Sequence, residues 1–257
     1  MEPESTATGL AFSLVLGAVV GSFLNVVIWR LPRNESIVRP RSHCPHCRWT
    51  IAWWANLPIV SWLALRARCP SCRRRISARY PTVELSGALL FGGLFWVLGP
   101  GVRLLASFWV AGALLATAFI DAEHRIIPNS LTLPLIPLGL ACAWIEPPPS
   151  LLQASLGLGL AGGMLWGLSA GYEAWTGRIG LGLGDVKLVA GLGAFLGIEP
   201  VLGVLVLASL LGIVQAVVAM TVFGSSRRSG VPFGPALAGA GLAHLFVPGL
   251  LQRLWGG

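Results

Sequence analysis

Two aspartates stand where carboxylates are expensive. Asp185 interrupts IGLGLGDVKLVAG (179–191), a run of glycine and branched aliphatics whose other charge is Lys187. Asp121 ends an apolar stretch in AFIDAEHRIIPNSLTLPL (118–135). A charged side chain at mid-membrane costs roughly 2.5–3.5 kcal/mol on insertion scales, and less near an interface, so such residues tend to mark function. Two carboxyls within hydrogen-bond reach cannot both ionise cheaply, and they share a proton and titrate as a unit. One can then activate water while the other protonates a carbonyl oxygen, which is the chemistry of peptide-bond hydrolysis. Simpler duties remain open for each: Asp185 as a helix N-cap, and Asp121 as the partner of Arg125 at i+4.

A second constellation lies upstream. Cys44-Pro-His-Cys47 and Cys69-Pro-Ser-Cys72 are separated by twenty-one residues. Two such knuckles can wrap a tetrahedral Zn²⁺ with four thiolates, and a metal suits a loop too small to bury a core. Disulfides are the competing use, disfavoured if the loop faces a reducing compartment. His43 and His46 flank the first pair as possible substitute ligands or as plain polar surface. Cys142 stands alone in an apolar stretch, where it reads as a small core residue.

The elements that must hold these groups follow from composition. Of 257 residues, 55% are hydrophobic and only 11% charged, against roughly 25% charged in a soluble domain. The mean hydropathy is +0.76. Apolar stretches at about 8–29, 82–98, 103–121, 128–145, 150–173, 185–198, 201–223 and 231–254 predict an all-α polytopic membrane protein of about eight transmembrane helices. The stretch at 185–198 is short for a full crossing. The first stretch lacks a basic n-region and a small-residue cleavage site, and reads as a retained span.

Charge orients these spans. Arg30 to Arg79 holds eleven arginines against one acid, Glu35, which places the 30–80 loop in the cytoplasm by the positive-inside rule. With eight alternating spans, Arg125, Arg178, Lys187, Arg227 and Arg228 also fall inside, and only Arg103 and Arg253 fall outside. Both aspartates then arrive at the cytoplasmic membrane boundary. The net charge of +8 is thereby explained without nucleic acid. Gly157-Leu-Gly159-Leu-Ala-Gly162 matches a dinucleotide fingerprint but follows no strand, and close helix packing accounts for it better. Asn34-Glu-Ser36 matches a glycosylation acceptor in a cytoplasmic loop, the wrong setting for that modification. Ser22 and Asn25 in the first span are expected to hydrogen-bond a neighbouring helix.

GSFLNVVIWRLP (21–32), the two cysteine pairs, WWANLPIVSWLALRARC (53–69), ISARYPTVE (76–84), IDAEHRIIPNSLTLPL (120–135), GLGDVKLVAGLGAFLG (182–197) and VPFGPALAGAG (231–241) resemble the bacterial prepilin peptidases, in order and over nearly the whole chain. Ala55 departs from the family, which has an acidic residue before its Asn-Leu/Ile-Pro segment. The resemblance implies a GxGD-type aspartic protease, here Gly182-Leu-Gly184-Asp185, that removes the basic leader of type IV prepilins or type II secretion pseudopilins. It also implies a bifunctional enzyme that methylates the new N-terminus from S-adenosylmethionine. Carried over by motif, the catalytic aspartates are Asp121 and Asp185, and Cys44, Cys47, Cys69 and Cys72 hold the metal. The expected organisation is a first transmembrane helix (1–29), a cytoplasmic zinc-binding domain (30–81) and a transmembrane peptidase domain (82–257) in the bacterial inner membrane. Expected partners are the prepilin or pseudopilin substrates and lipid, and no nucleic acid. Two alternatives stay open: a GxGD intramembrane protease of other specificity, and a non-enzymatic transporter with a zinc-stabilised loop.

Overall fold

A computed structural model describes residues 3–178, 180–222 and 231–247; Ile179 of the Asp185 stretch, the 223–230 segment with Arg227 and Arg228, and Arg253 lie outside them. Among the described residues the chain is helical, with isolated β-bridges at His43–Thr50 and Arg68–Arg75. The helices are α1 (Pro3–Arg30), α2 (Val60–Ala64), α3 (Arg79–Leu98), α4 (Val102–His124), α5 (Asn129–Thr132), α6 (Leu135–Ile145), α7 (Leu151–Leu156), α8 (Gly162–Thr176), α9 (Leu183–Leu196), α10 (Ile198–Val222) and α11 (Gly234–Phe246). Each of the eight expected apolar stretches falls on a helix in the part described. Among the described residues, five spans are long and apolar enough to cross a membrane: Thr6–Arg33, Arg79–Leu98, Val102–His124, Leu151–Thr176 and Ile198–Val222. This is a multi-pass membrane protein. The remaining helices are shorter: α9 has 14 residues, about 21 Å against a hydrocarbon thickness of about 30 Å. The 129–145 stretch is split in two at Pro134, which cannot donate into the preceding turn.

Contacts divide the chain into two compact units, one ending at Leu104 and one beginning at Leu105. In the first, α1 and α3 pack antiparallel along a seam of small residues. A Cβ at Gly17 would lie 2.2 Å from the Gly87 carbonyl oxygen, and one at Gly21 would lie 2.7 Å from the Glu84 Cα. Only hydrogen at these positions lets the two backbones touch. Further along, the Asn25 amide donates to the Tyr80 carbonyl at 3.1 Å and to its own Gly21 carbonyl at 3.3 Å, the interhelical bond expected of it. Between the helices, Arg30 at the end of α1 is buried and donates to the Ser36 and Pro40 carbonyls, both at 2.8 Å, folding the chain back toward the first knuckle. The 53–64 segment is tied to α3 where the Ile59 N–H donates to Glu84 Oε2 at 2.7 Å.

In the second unit α9 is central, its face from Val186 to Leu196 buried against α6, the α7–α8 segment and α10. Of the fingerprint glycines, Gly157 and Gly162 do pack closely: a Cβ would meet the Gly193 carbonyl oxygen at 2.3 Å and the Ala190 Cβ at 2.9 Å, while Gly159 faces open space. One π turn, Gly157–Ala161, joins α7 to α8 at this contact. Beyond it, the Ser169 hydroxyl donates to the Leu181 carbonyl at 2.9 Å, holding the glycine-rich approach to α9. Cys142 is buried, as its apolar surroundings predict.

Candidate active site and metal centre

Asp121 lies one turn from the end of α4 and is 6% exposed. The helix stops after it because Arg125 turns left-handed, at φ +57°, with its N–H returning to the Asp121 carbonyl at 2.9 Å. Pro128 then stands immediately before α5, as its N-cap. Asp185 enters in the first turn of α9, whose N-cap is Gly182 rather than the aspartate. Its side chain instead reaches back to the Gly182 N–H and to its own, the return half of a capping box. Its Oδ1 is buried with no hydrogen-bond partner.

Three observations link the two aspartate segments. Asp185 lies near enough to Asp121 to feel its charge. A Cβ at Gly184 would lie 2.7 Å from the Ile127 Cβ, so the chain after Asp121 rests on the backbone beside Asp185. Lys187 Nζ donates to Asn129 Oδ1 at 2.9 Å. Lys187, which its spacing from Asp185 suggests is a surface anchor on another face, is half-buried and ties α9 to α5. A further contact comes from α11: the Gly234 N–H donates to Asp121 Oδ2 at 2.8 Å. That donor requires a lone pair on Oδ2, so any proton carried by Asp121 must sit on Oδ1. Sequence reasoning assigned no role to Gly234. The only trace of it was the motif VPFGPALAGAG, because a contact across 113 positions leaves no periodic signal.

The four cysteines converge in the first unit. Their sulfurs lie within 4.8 Å of one another, with Cys44–Cys72 at 3.8 Å and Cys47–Cys69 at 3.9 Å. Metal–sulfur arms of roughly 2.3 Å give a tetrahedron with edges of about 3.8 Å, so the donor set fits zinc. The two knuckles repeat one turn. The Cys44 N–H donates to the Trp49 carbonyl and the Arg48 N–H to the Cys44 carbonyl; Cys69 makes the same pair with Arg74 and Arg73. Arg48 and Arg73 supply the left-handed corners at φ +57° and +58°. The backbone N–H of Trp49 pulls the Cys47 thiol down to about 6, helped by the neighbouring thiols. Around Cys72 the Arg74 N–H pulls the same way, but desolvation and the other three sulfurs outweigh it and push the thiol up to about 11. The histidines stand apart: His46 Nδ1 faces the Arg74 guanidinium and His43 Nδ1 the Arg41 carbonyl, each at 3.1 Å.

Fold and sites together define a multi-pass helical membrane protein with one carboxylate in the last turn of the long α4, a second in the first turn of the short α9, and a four-cysteine unit of metal-binding geometry. Residues 15–98 match the model of the bacterial peptidase A24 N-terminal domain, and residues 108–217 match that of the type IV leader peptidase family. The chain belongs to the type IV leader peptidase family. It is 39% identical to a prepilin leader peptidase/N-methyltransferase of Burkholderia pseudomallei (strain 1026b), across 98% of this chain and 90% of the relative. Proteins of the same description from Neisseria gonorrhoeae and Myxococcus xanthus (strain DK1622) are 39% and 44% identical, across 88% and 83% of this chain and 86% and 64% of theirs. No solved structure matches.

Proposed function

We propose that this enzyme cleaves the basic leader from type IV prepilins or pseudopilins at the cytoplasmic face of the inner membrane, with Asp121 and Asp185 as the catalytic pair, and then methylates the new N-terminal amine. The observation that carries the peptidase reading is the meeting of Asp121, Asp185 and the Gly234 N–H at one place. The member of the pair that lacks the proton takes one from water. The resulting hydroxide attacks the scissile carbonyl carbon while the other aspartate donates to the carbonyl oxygen. Collapse of the tetrahedral species breaks the C–N bond, and the proton first taken from water passes to the leaving amine. Gly234 holds Asp121 in orientation throughout, and the exposed Gly182 backbone lets an extended peptide approach beside Asp185.

Cys44, Cys47, Cys69 and Cys72 would hold one structural Zn²⁺, organising the 30–81 region as a domain distinct from the first span and from the 82–257 peptidase region. S-adenosylmethionine, when bound, supplies an electrophilic methyl group. The arginine-rich loop supports a cytoplasmic site, and the exposed apolar helix faces support lipid as a partner; nothing in the charge pattern calls for nucleic acid. The deciding experiment is a mass-spectrometric cleavage assay on the purified wild type, Asp121→Asn and Asp185→Asn with a prepilin substrate and methyl donor. Each variant is expected to insert and retain zinc but to cleave nothing. Cleavage by either removes the two-aspartate mechanism.

A further inference from the structure

The first unit contains a buried carboxylate that the peptidase chemistry does not use. Glu84 is 7% exposed, on the α1–α3 seam near the four-cysteine end. Its side chain accepts hydrogen bonds from the Ile59 N–H and the Ser22 side chain. An ionised carboxylate has about four acceptor positions, so part of its capacity remains open. One turn along the same seam lies Asn25, 2% exposed. Its amide nitrogen donates to the Gly21 and Tyr80 carbonyls, which fixes the orientation of the group. Its Oδ1 is buried with no partner. A buried acceptor without a donor is costly and calls for a ligand.

The seam therefore offers a carboxylate and an unpartnered amide oxygen as acceptors. The two levels, Ser22 with Glu84 and Asn25 with Tyr80, are three residues apart on α1 and four on α3, a rise of about 4.5 to 6 Å. An ammonium between two oxygens at about 2.8 Å each spans nearly the same distance. We propose that Glu84 and Asn25 bind the newly exposed α-ammonium of the cleaved substrate, with Ser22 orienting Glu84, and that Glu84 takes its proton for methyl transfer. This rests on the methyl-transfer reading above. The proton moves from nitrogen to the Glu84 carboxylate. The freed lone pair forms a bond to the methyl carbon of a sulfonium donor as the carbon–sulfur bond breaks, and its electron pair stays on sulfur as a neutral thioether. The product is a secondary ammonium, and Glu84 returns its proton to water.

Glu84 also braces the turn at Ile59, a β-branched residue at φ +63°, so the test must separate the two duties. Glu84→Gln keeps an oxygen for the Ile59 N–H and removes the charge and the base. In the full-length, zinc-loaded enzyme it should cleave at the wild-type rate and methylate on the order of 100-fold more slowly. A synthetic mature-type peptide with a free N-terminus should bind wild type about tenfold more tightly than its N-acetylated form, and Glu84→Gln should lose that preference. Wild-type methylation by Glu84→Gln, or a preserved preference for the free amine, overturns the proposal. If the variant does not accumulate, equal binding of the two peptides by wild type overturns it alone. A wild type that prefers the free amine but adds no methyl removes the methyl-transfer reading and the base, and supports the ammonium site.

Discussion

Gly234→Ala tests whether α11 positions the catalytic pair. A Cβ at Gly234 would stand 2.7 Å from Asp121 Oδ2, 2.8 Å from its Cβ and 2.9 Å from its Cγ, where ordinary contact begins near 3.4 Å. The root of the Asp121 side chain is struck as well as its tip, so rotation alone does not relieve the clash. The carboxylate or the start of α11 must move by roughly half an ångström or more. Misplacement of about 1 Å at a reacting group costs on the order of 100-fold. The bond to Gly234 is a hydrogen bond to a charged group, worth about 1.5–3 kcal/mol, which is roughly 10- to 150-fold if lost in the transition state. Both routes give an expected fall in kcat of roughly 10- to 100-fold, with KM little changed. The assay is cleavage kinetics by mass spectrometry, with melting temperature and zinc content measured alongside. Gly239→Ala is the control, since its Cβ meets only Leu211 Cδ1 at 3.7 Å, and it should behave as wild type. Undiminished kcat in Gly234→Ala would refute the positioning argument.

The metal centre predicts one zinc per chain, lost in Cys69→Ser together with protection of the 34–78 region from protease, but retained in His43→Ala and His46→Ala; metal analysis and limited proteolysis check both. Because thiolates are the ligands, protons compete, so zinc affinity should fall as pH falls, and affinity independent of pH between 5 and 8 would contradict thiolate ligation. Lys187→Met loses its bond to Asn129 and should slow cleavage several-fold without abolishing it; complete loss would make Lys187 part of the chemistry. Single cysteines placed at 122–127 should resist membrane-impermeant reagents in intact cells and label in inverted vesicles. Labelling from outside would put Asp121 on the wrong face.

The chain shows most plainly what repeats locally. Apolar runs located the helices, and the paired CxxC spacing located a cluster that folds as two copies of one turn. The aspartates were visible as charges in oily surroundings. What stayed hidden depends on distant partners. Glu84 reads as a span-end acid because its burial comes from α1, some sixty positions earlier. Lys187 has its partner fifty-eight positions away, and Gly234 more than a hundred. Pro134 does announce a break, but whether it kinks a helix or divides it depends on the packing of α6 against α9.

The π turn at Gly157–Ala161 has a consequence for heredity. A residue gained within a helix turns everything beyond it by about 100°, and a π turn confines that gain to one wide loop of backbone. Loss of a single codon there would restore a regular helix and swing Ser169 away from the Leu181 carbonyl that it holds at 2.9 Å. The approach to Asp185 would come adrift although no residue near the aspartate had changed. Lineages of this enzyme should therefore tolerate substitution in the 157–161 turn more readily than a change in its length.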